Sequence, residues 1–146
     1  MKKIGEYTMR GQLAPSTLNK RLYLFDGSFK SAYRVVKFEV TTNLPSNSTS
    51  DASLILTTEP NISSNEWDWD DNTQIAWGAF ITQGTDTGSF PLSYVDPDNL
   101  IVDDLFISAF VASGRKANYM IHLEKYEISE GQGALTMVRN KSQGAD

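Results

Sequence analysis

Apolar side chains in this chain recur at every second position, and hardly anywhere at the three-to-four spacing of a helix. From Tyr7 to Leu13 the alternation is strict, with Gly11 in an inward slot, until Pro15 and Ser16 break it. Arg21 to Phe25 reads as a short apolar strand closed by the turn Asp26-Gly27-Ser28. Val36, Phe38 and Val40 share one face of the next strand, and Lys37, Glu39 and Thr41 the other. Ser53–Thr58 is a strand stopped by Glu59-Pro60-Asn61, and Ile75, Trp77, Ala79 and Ile81 line one side of another. Phe90–Tyr94 fits a short edge strand. Leu100–Ala112 is apolar on both faces, broken only by Asp103-Asp104, as a central strand would be. Asn118–Ile128 follows it through Ser113-Gly114-Arg115-Lys116, which predicts an antiparallel hairpin; Ala134–Val138 is a further edge candidate. Loops are expected at 43–51, 59–72, 84–88 and 96–99.

About eight to nine short strands with no helix predict an all-β, antiparallel two-sheet sandwich of the jelly-roll or Greek-key type. No internal repeat marks a propeller or solenoid. The expected layout is a single β-sandwich domain at 1–138 with a mobile N-terminal arm at 1–6, and a flexible C-terminal tail at 139–146. A chain of 146 residues buries roughly 70% of its unfolded surface, enough for a core without staples.

The chain has no cysteine, which rules out disulfides, zinc-thiolate sites and thiol nucleophiles. Glu6, Arg10 and Gln12 interrupt the stretch where a signal peptide needs an apolar run of about 7–15 residues. The longest apolar stretch, Leu100–Ala112, contains two aspartates and is too short to span a bilayer. The expectation is a protein made in the cytoplasm with no signal peptide and no membrane partner.

Charge is distributed unevenly. Residues 1–37 hold eight basic and two acidic side chains, 38–114 hold twelve acidic and no basic ones, and 115–146 hold five basic and four acidic. Two outcomes follow from this pattern: folding interleaves the blocks and cancels most of the charge, or it leaves a bipolar molecule that docks an acidic side on a basic neighbour. Nucleic acid, which wants a coherent basic stripe, is disfavoured as a partner either way.

Few side chains invite catalysis. The single histidine, His122, lies inside an apolar strand and no nucleophile turn is present. It reads as a sheet residue facing a neighbour or solvent. Asp68, Asp70 and Asn72 match the first ligand positions of a calcium loop, but Thr73 and Ala79 stand where glycine and glutamate are needed. No metal or cofactor is expected; a cation site would need help from another loop such as Asp96-Pro97-Asp98. Trp67 and Trp69 either plug one end of the sandwich or, with Asp68 and Asp70, form a stacking platform for a sugar. Asp103 or Asp104, whichever points inward, needs a partner, either Lys125 on the neighbouring strand or a group at a bulge or a subunit interface. The sequons at Asn47, Asn61 and Asn140 carry little weight without a secretory signal.

The run from Phe90 to Ile107 (FPLSYVDPDNLIVDDLFI), and Asn118-Tyr119-Met120-Ile121 with Glu124-Lys125-Tyr126-Glu127, resemble small β-rich virion proteins of marine tailed bacteriophages. The resemblance covers about a third of the chain and carries no catalytic motif. It implies a non-enzymatic structural part of the particle, a capsid decoration (cement) protein or another head component. The partners implied are other copies of itself, as a homo-oligomer, and a major capsid or other virion protein. The alternative is a carbohydrate-binding module using Trp67, Trp69, Asp68 and Asp70; a small hydrolase would need a site the sequence does not display.

Overall fold

The computed structural model describes residues 1–47, 49–82 and 89–142. It is a sandwich of two antiparallel sheets. Eight strands occur in the order β1 (Lys2–Leu13), β2 (Thr17–Leu22), β3 (Ser31–Thr42), β4 (Ala52–Thr57), β5 (Gln74–Thr82), β6 (Ser89–Val95), β7 (Leu105–Val111) and β8 (Ala117–Glu127), followed by helix α1 (Glu130–Ser142). One sheet has the order β1-β8-β3 and the other β2-β7-β4-β5-β6. First pairs with last, second with seventh and fourth with fifth. The Ser93 hydroxyl of β6 also donates to the Phe38 carbonyl of β3. This is the folded-over order of a jelly roll. The glycine-rich turn expected at 84–88 lies outside the described residues, as do 143–146.

That order corrects the expected hairpin. β7 and β8 are consecutive in sequence but belong to different sheets, because β8 closes the fold between β1 and β3. The core lies between the sheets, with Phe38, Leu54, Leu56, Ile107 and Ile121 at its centre and fully buried. Gly78 of β5 lets the layers approach: a Cβ there would run into the Val40 side chain and press on Phe38. β3 does not keep the expected face. A bulge between Val35 and Lys37 turns Val36 outward and puts Val35 in the core with Phe38 and Val40.

Both chain ends differ from expectation. Residues 2–6, read as an arm, begin β1 and pair with the end of β8 (Lys2 opposite Glu127, Glu6 opposite Glu124). Lys3 holds this corner through ion pairs to Glu6 (2.6 Å) and Glu124 (2.8 Å). The segment expected as an edge strand at 134–138, and the start of the tail, form α1 instead. Ser129 caps the helix by accepting the Gln132 N–H. Gly133 lies flat against the Phe29 carbonyl, where any side chain would collide. Met137 joins a small satellite core with Phe25, Phe29, Val102 and Ile128.

Asp104 ties several of these parts together. The apolar run from 100 is interrupted there. Ile101 exchanges both backbone hydrogen bonds with Tyr33 of the smaller sheet, and β7 starts only at Leu105. The Asp104 carboxylate accepts the Leu24 N–H (2.7 Å), the Phe25 N–H (2.9 Å) and the Arg21 Nε–H (2.7 Å). Its partner is therefore Arg21 of β2, not Lys125. Arg21 reaches it because β2 lies beside β7, whereas β8 lies in the other sheet. Burial pushes the Asp104 pKa up, but the two backbone N–H groups and the guanidinium outweigh it, leaving the value below its ordinary 3.8. A depressed carboxylate stabilises the fold above the unfolded pKa, and that contribution disappears as pH falls through the folded one. We expect Asp104→Ala to cost about 3 kcal/mol at pH 7, since the buried Leu24 N–H and the half-buried Phe25 N–H lose their acceptor. Denaturant titrations at pH 7 and pH 3 should show that difference shrinking in acid. A cost unchanged by pH would contradict the ionised hub.

An uncharged sheet face and an acidic-aromatic cleft

Strands β7, β4, β5 and β6 are adjacent, and none contains an aspartate, glutamate, lysine or arginine. Their inner side faces the core. On the outer side, cross-strand register places Ser108, Ile55, Trp77 and Tyr94 in one row and Phe110, Ser53, Ala79 and Leu92 in the next. Ile81 and Phe90 pair beyond them.

The loop between β4 and β5 covers part of this face. Ile62 and Trp67 pack over Ile55, Trp77 and Phe110, and the Trp67 indole N–H donates to the Ser53 hydroxyl at 2.9 Å. Trp69 sits farther out, tilted against Trp77 (5.5 Å between ring centres) and edge-on to Tyr94 (5.6 Å). Neither tryptophan plugs an end of the sandwich: Trp67 lies down on the sheet, while Trp69 stays 64% exposed. Beyond the loop, Tyr94, Phe90 and Leu92 remain open, at 45%, 47% and 36% exposure.

A cleft of about 290 Å³ opens where this face meets the acidic loops. The β4–β5 loop brings Trp69, Asp71 and Asn72 to it, the start of β5 brings Gln74 and Trp77, and the loop after β6 brings Asp96, Asp98 and Asn99. Of the four residues singled out in the sequence, only Trp69 lines it; Trp67, Asp68 and Asp70 do not. Asp68 is spent on the turn, its Oδ1 accepting the Asp70 N–H at 3.0 Å. Asp71 is fixed likewise, accepting the Thr73 N–H (2.9 Å) and hydroxyl (2.6 Å). Gln74 Oε1 accepts both the Asp68 N–H and the Trp77 indole N–H, which locks the loop to the strand. The carboxylates thus satisfy local N–H groups. Among the described residues no three histidine, aspartate or glutamate side chains are grouped to hold a metal.

The basic residues lie elsewhere. Lys2, Lys3, Arg10, Arg34, Lys37 and Lys125 are on the three-stranded sheet, and Lys20 and Arg21 on β2, the edge of the larger sheet away from β6. The three-stranded sheet also carries Glu6, Glu39, Glu124 and Glu127, and ion pairs of Lys3 with Glu6 and Glu124 and of Lys37 with Glu39 cancel part of its basic charge. On the outer side of the smaller sheet His122 Nε2 pairs with Glu39 Oε1 at 2.8 Å. That contact holds the Glu39 carboxyl below its usual range. Thr8 stands opposite His122 in β1, but no hydrogen bond joins them, so the pair lacks the nucleophile–base contact of a covalent catalyst.

No family model matches the chain, and no characterised protein matches it by sequence. Among solved structures, a lectin from Bauhinia forficata in complex with GalNAc is 13% identical, over 85% of this chain and 93% of that one, with a TM-score of 0.22. At that score the likeness transfers no site.

The two neighbouring tryptophans should differ sharply in stability. Trp77, 7% exposed, should cost about 3–5 kcal/mol on truncation to alanine. Trp69→Ala should change stability by less than about 1 kcal/mol. Thermal melts of the two variants check this, and equal losses would contradict the placement of Trp69 on the surface.

Proposed function

We propose that this chain is a non-enzymatic structural component of a bacteriophage virion, a capsid decoration (cement) protein or another head-associated part. It would act by docking on the particle and on other copies of itself. The observation that carries this reading is the outer face of β7-β4-β5-β6, four strands wide and without a charged side chain. A soluble monomer seldom leaves such a face open, whereas the centre of an interface is depleted in charge and enriched in aromatic rings. Trp69, Tyr94, Phe90 and Leu92 supply those rings and apolar groups. The resemblance of the stretch containing β6 and the start of β7 to phage virion proteins supports the same assignment.

The rim of the face narrows the choice of partner. Asp70, Asp71, Asp96 and Asp98 flank it, and no lysine or arginine occurs between Phe38 and Gly114. A complementary surface has an apolar centre and a basic border, which a basic capsid shell provides. Rim charges of this kind guide orientation and on-rate more than affinity. Association should slow as salt rises, because exposed charges are screened beyond about 8–10 Å at physiological ionic strength.

The test is binding to particles that lack this protein. Leu92→Lys places a charge in the open part of the face, between Phe90 and Tyr94 on β6, and should weaken binding by more than about tenfold, the scale of a side chain that matters in an interface. Tyr7→Lys, exposed on the smaller sheet, should bind as the parent does. The opposite pattern would overturn the assignment of the face.

A further inference from the structure

The cleft beside this face has a chemistry that docking alone does not require. We propose that it is a binding site for a neutral saccharide, with a pyranose ring stacked on Trp69 and its hydroxyls donating to Asp71, Asp96 and Asp98. Three observations carry this.

The first is the platform. Trp69 is 64% exposed, yet its ring is braced by Trp77 on one side and Tyr94 on another, each within 5.6 Å. A large ring held in place before a ligand arrives loses little entropy on binding. Its open face suits the C–H side of a sugar ring, which is apolar while the ring's edges are polar.

The second is the polar set. Carboxylates only accept hydrogen bonds, and amides both donate and accept. A sugar hydroxyl donating to a carboxylate makes a short, charge-assisted bond. Asp71 is oriented by Thr73, and Asp96 Oδ1 is oriented by accepting the Asp98 N–H at 3.2 Å. Gln74, tied to Trp77, and Asn99, which donates to the Asp96 carbonyl at 3.3 Å, stand among them. These acceptors are preorganised by their own loops, as a specific site needs.

The third is the charge, which selects the ligand class. The cleft is lined by three aspartates and by no lysine or arginine, so sulfated sugars, uronates, sialosides and phosphates would be repelled there. A small organic cation is also compatible with indoles and carboxylates. A cation, however, is best held where negative charges converge, and among the described residues no three carboxylates converge on one point. Spread acceptors with amides between them match several separate hydroxyls better than one positive charge. At about 290 Å³ the cleft is at the small end of ligand pockets, which span about 300–1,000 Å³. One ring of a longer glycan fits that volume better than a large ligand does.

The experiment uses the full chain on a printed array of neutral, sulfated, uronate-containing and amine-containing oligosaccharides. Hits are then titrated in solution by tryptophan fluorescence. The expected result is binding to at least one neutral oligosaccharide that persists in 0.5 M salt, where the Debye length has shrunk to between about 3 and 8 Å. Trp69→Ala should weaken it more than about tenfold and Asp98→Asn several-fold, as loss of a stacking ring and of a charged acceptor imply. Both positions are exposed, so both variants should melt with the parent. Leu92→Lys should keep saccharide binding, which separates failure here from failure of the docking face. No neutral binding across the array would overturn the proposal. Binding restricted to amines and polyamines such as spermidine, and lost in salt, would overturn it in favour of a cation site.

Discussion

The constraint on which this structure turns is that three strands, β4, β5 and β7, are apolar on both sides. Ile55 and Trp77 point away from the core as firmly as Leu54, Leu56 and Ile107 point into it. A sheet of this kind must be covered twice. The three-stranded sheet covers the inner side, and the close approach at Gly78 lets Phe38 and Val40 fill the gap. On the outer side the chain has only the loop between β4 and β5, which lays Ile62 and Trp67 over half of the face. The other half ends in exposed Tyr94, Leu92 and Phe90, and the proposed assembly would supply the missing cover.

The same constraint explains where charge can go. Strands buried on both sides cannot carry lysine or glutamate without a partner, so among the described residues the acidic ones of 38–114 apart from Glu39 lie in the connecting loops, and the basic ones lie on the other sheet, on β2, on α1 or in loops. The charge asymmetry of the sequence and the uncharged face of the larger sheet therefore share one cause. Asp104 is the exception that fits the rule. Among the described residues it is the one buried carboxylate, and it is matched by two backbone donors and a guanidinium that join β2 and the loop after it to the entrance of β7.

Period-two alternation made most of the sandwich readable: the strands at 52–57, 74–82, 89–95 and 117–127 appear within a residue or two of where the pattern puts them. What it could not show was the partner of each strand. A short Ser-Gly turn before β8 looks the same whether the chain returns beside β7 or crosses to the other sheet, and only pairing with β1 decides it. Helix α1 was hidden by Gly131 and Gly133, poor helix formers. The pattern Ser129-Glu130-Gly131-Gln132, a capping box by spacing, was the signal available for it. The outward turn of Val36 depends on a bulge that leaves no trace in composition. At the cleft, Trp69 was legible because a tryptophan among aspartates is conspicuous. Trp77 was not, because an aromatic inside an apolar strand reads as core. Asp96 and Asp98 became its companions only when β6 brought its following loop beside the start of β5, where the Asp96 N–H bonds the Ile75 carbonyl.

The central claim is that the uncharged outer face of the larger sheet is the surface buried in assembly. Hydroxyl-radical footprinting of the free protein and of the particle-bound protein, read side chain by side chain, tests it most directly. Trp69, Phe90 and Tyr94 on that face and Tyr7 and Tyr23 away from it are all exposed in the isolated chain. All five should therefore react when it is free. The account predicts that Phe90 and Tyr94 become protected on the particle while Tyr7 and Tyr23 stay reactive. Protection of Tyr7 and Tyr23, with Phe90 and Tyr94 still reactive, would contradict it.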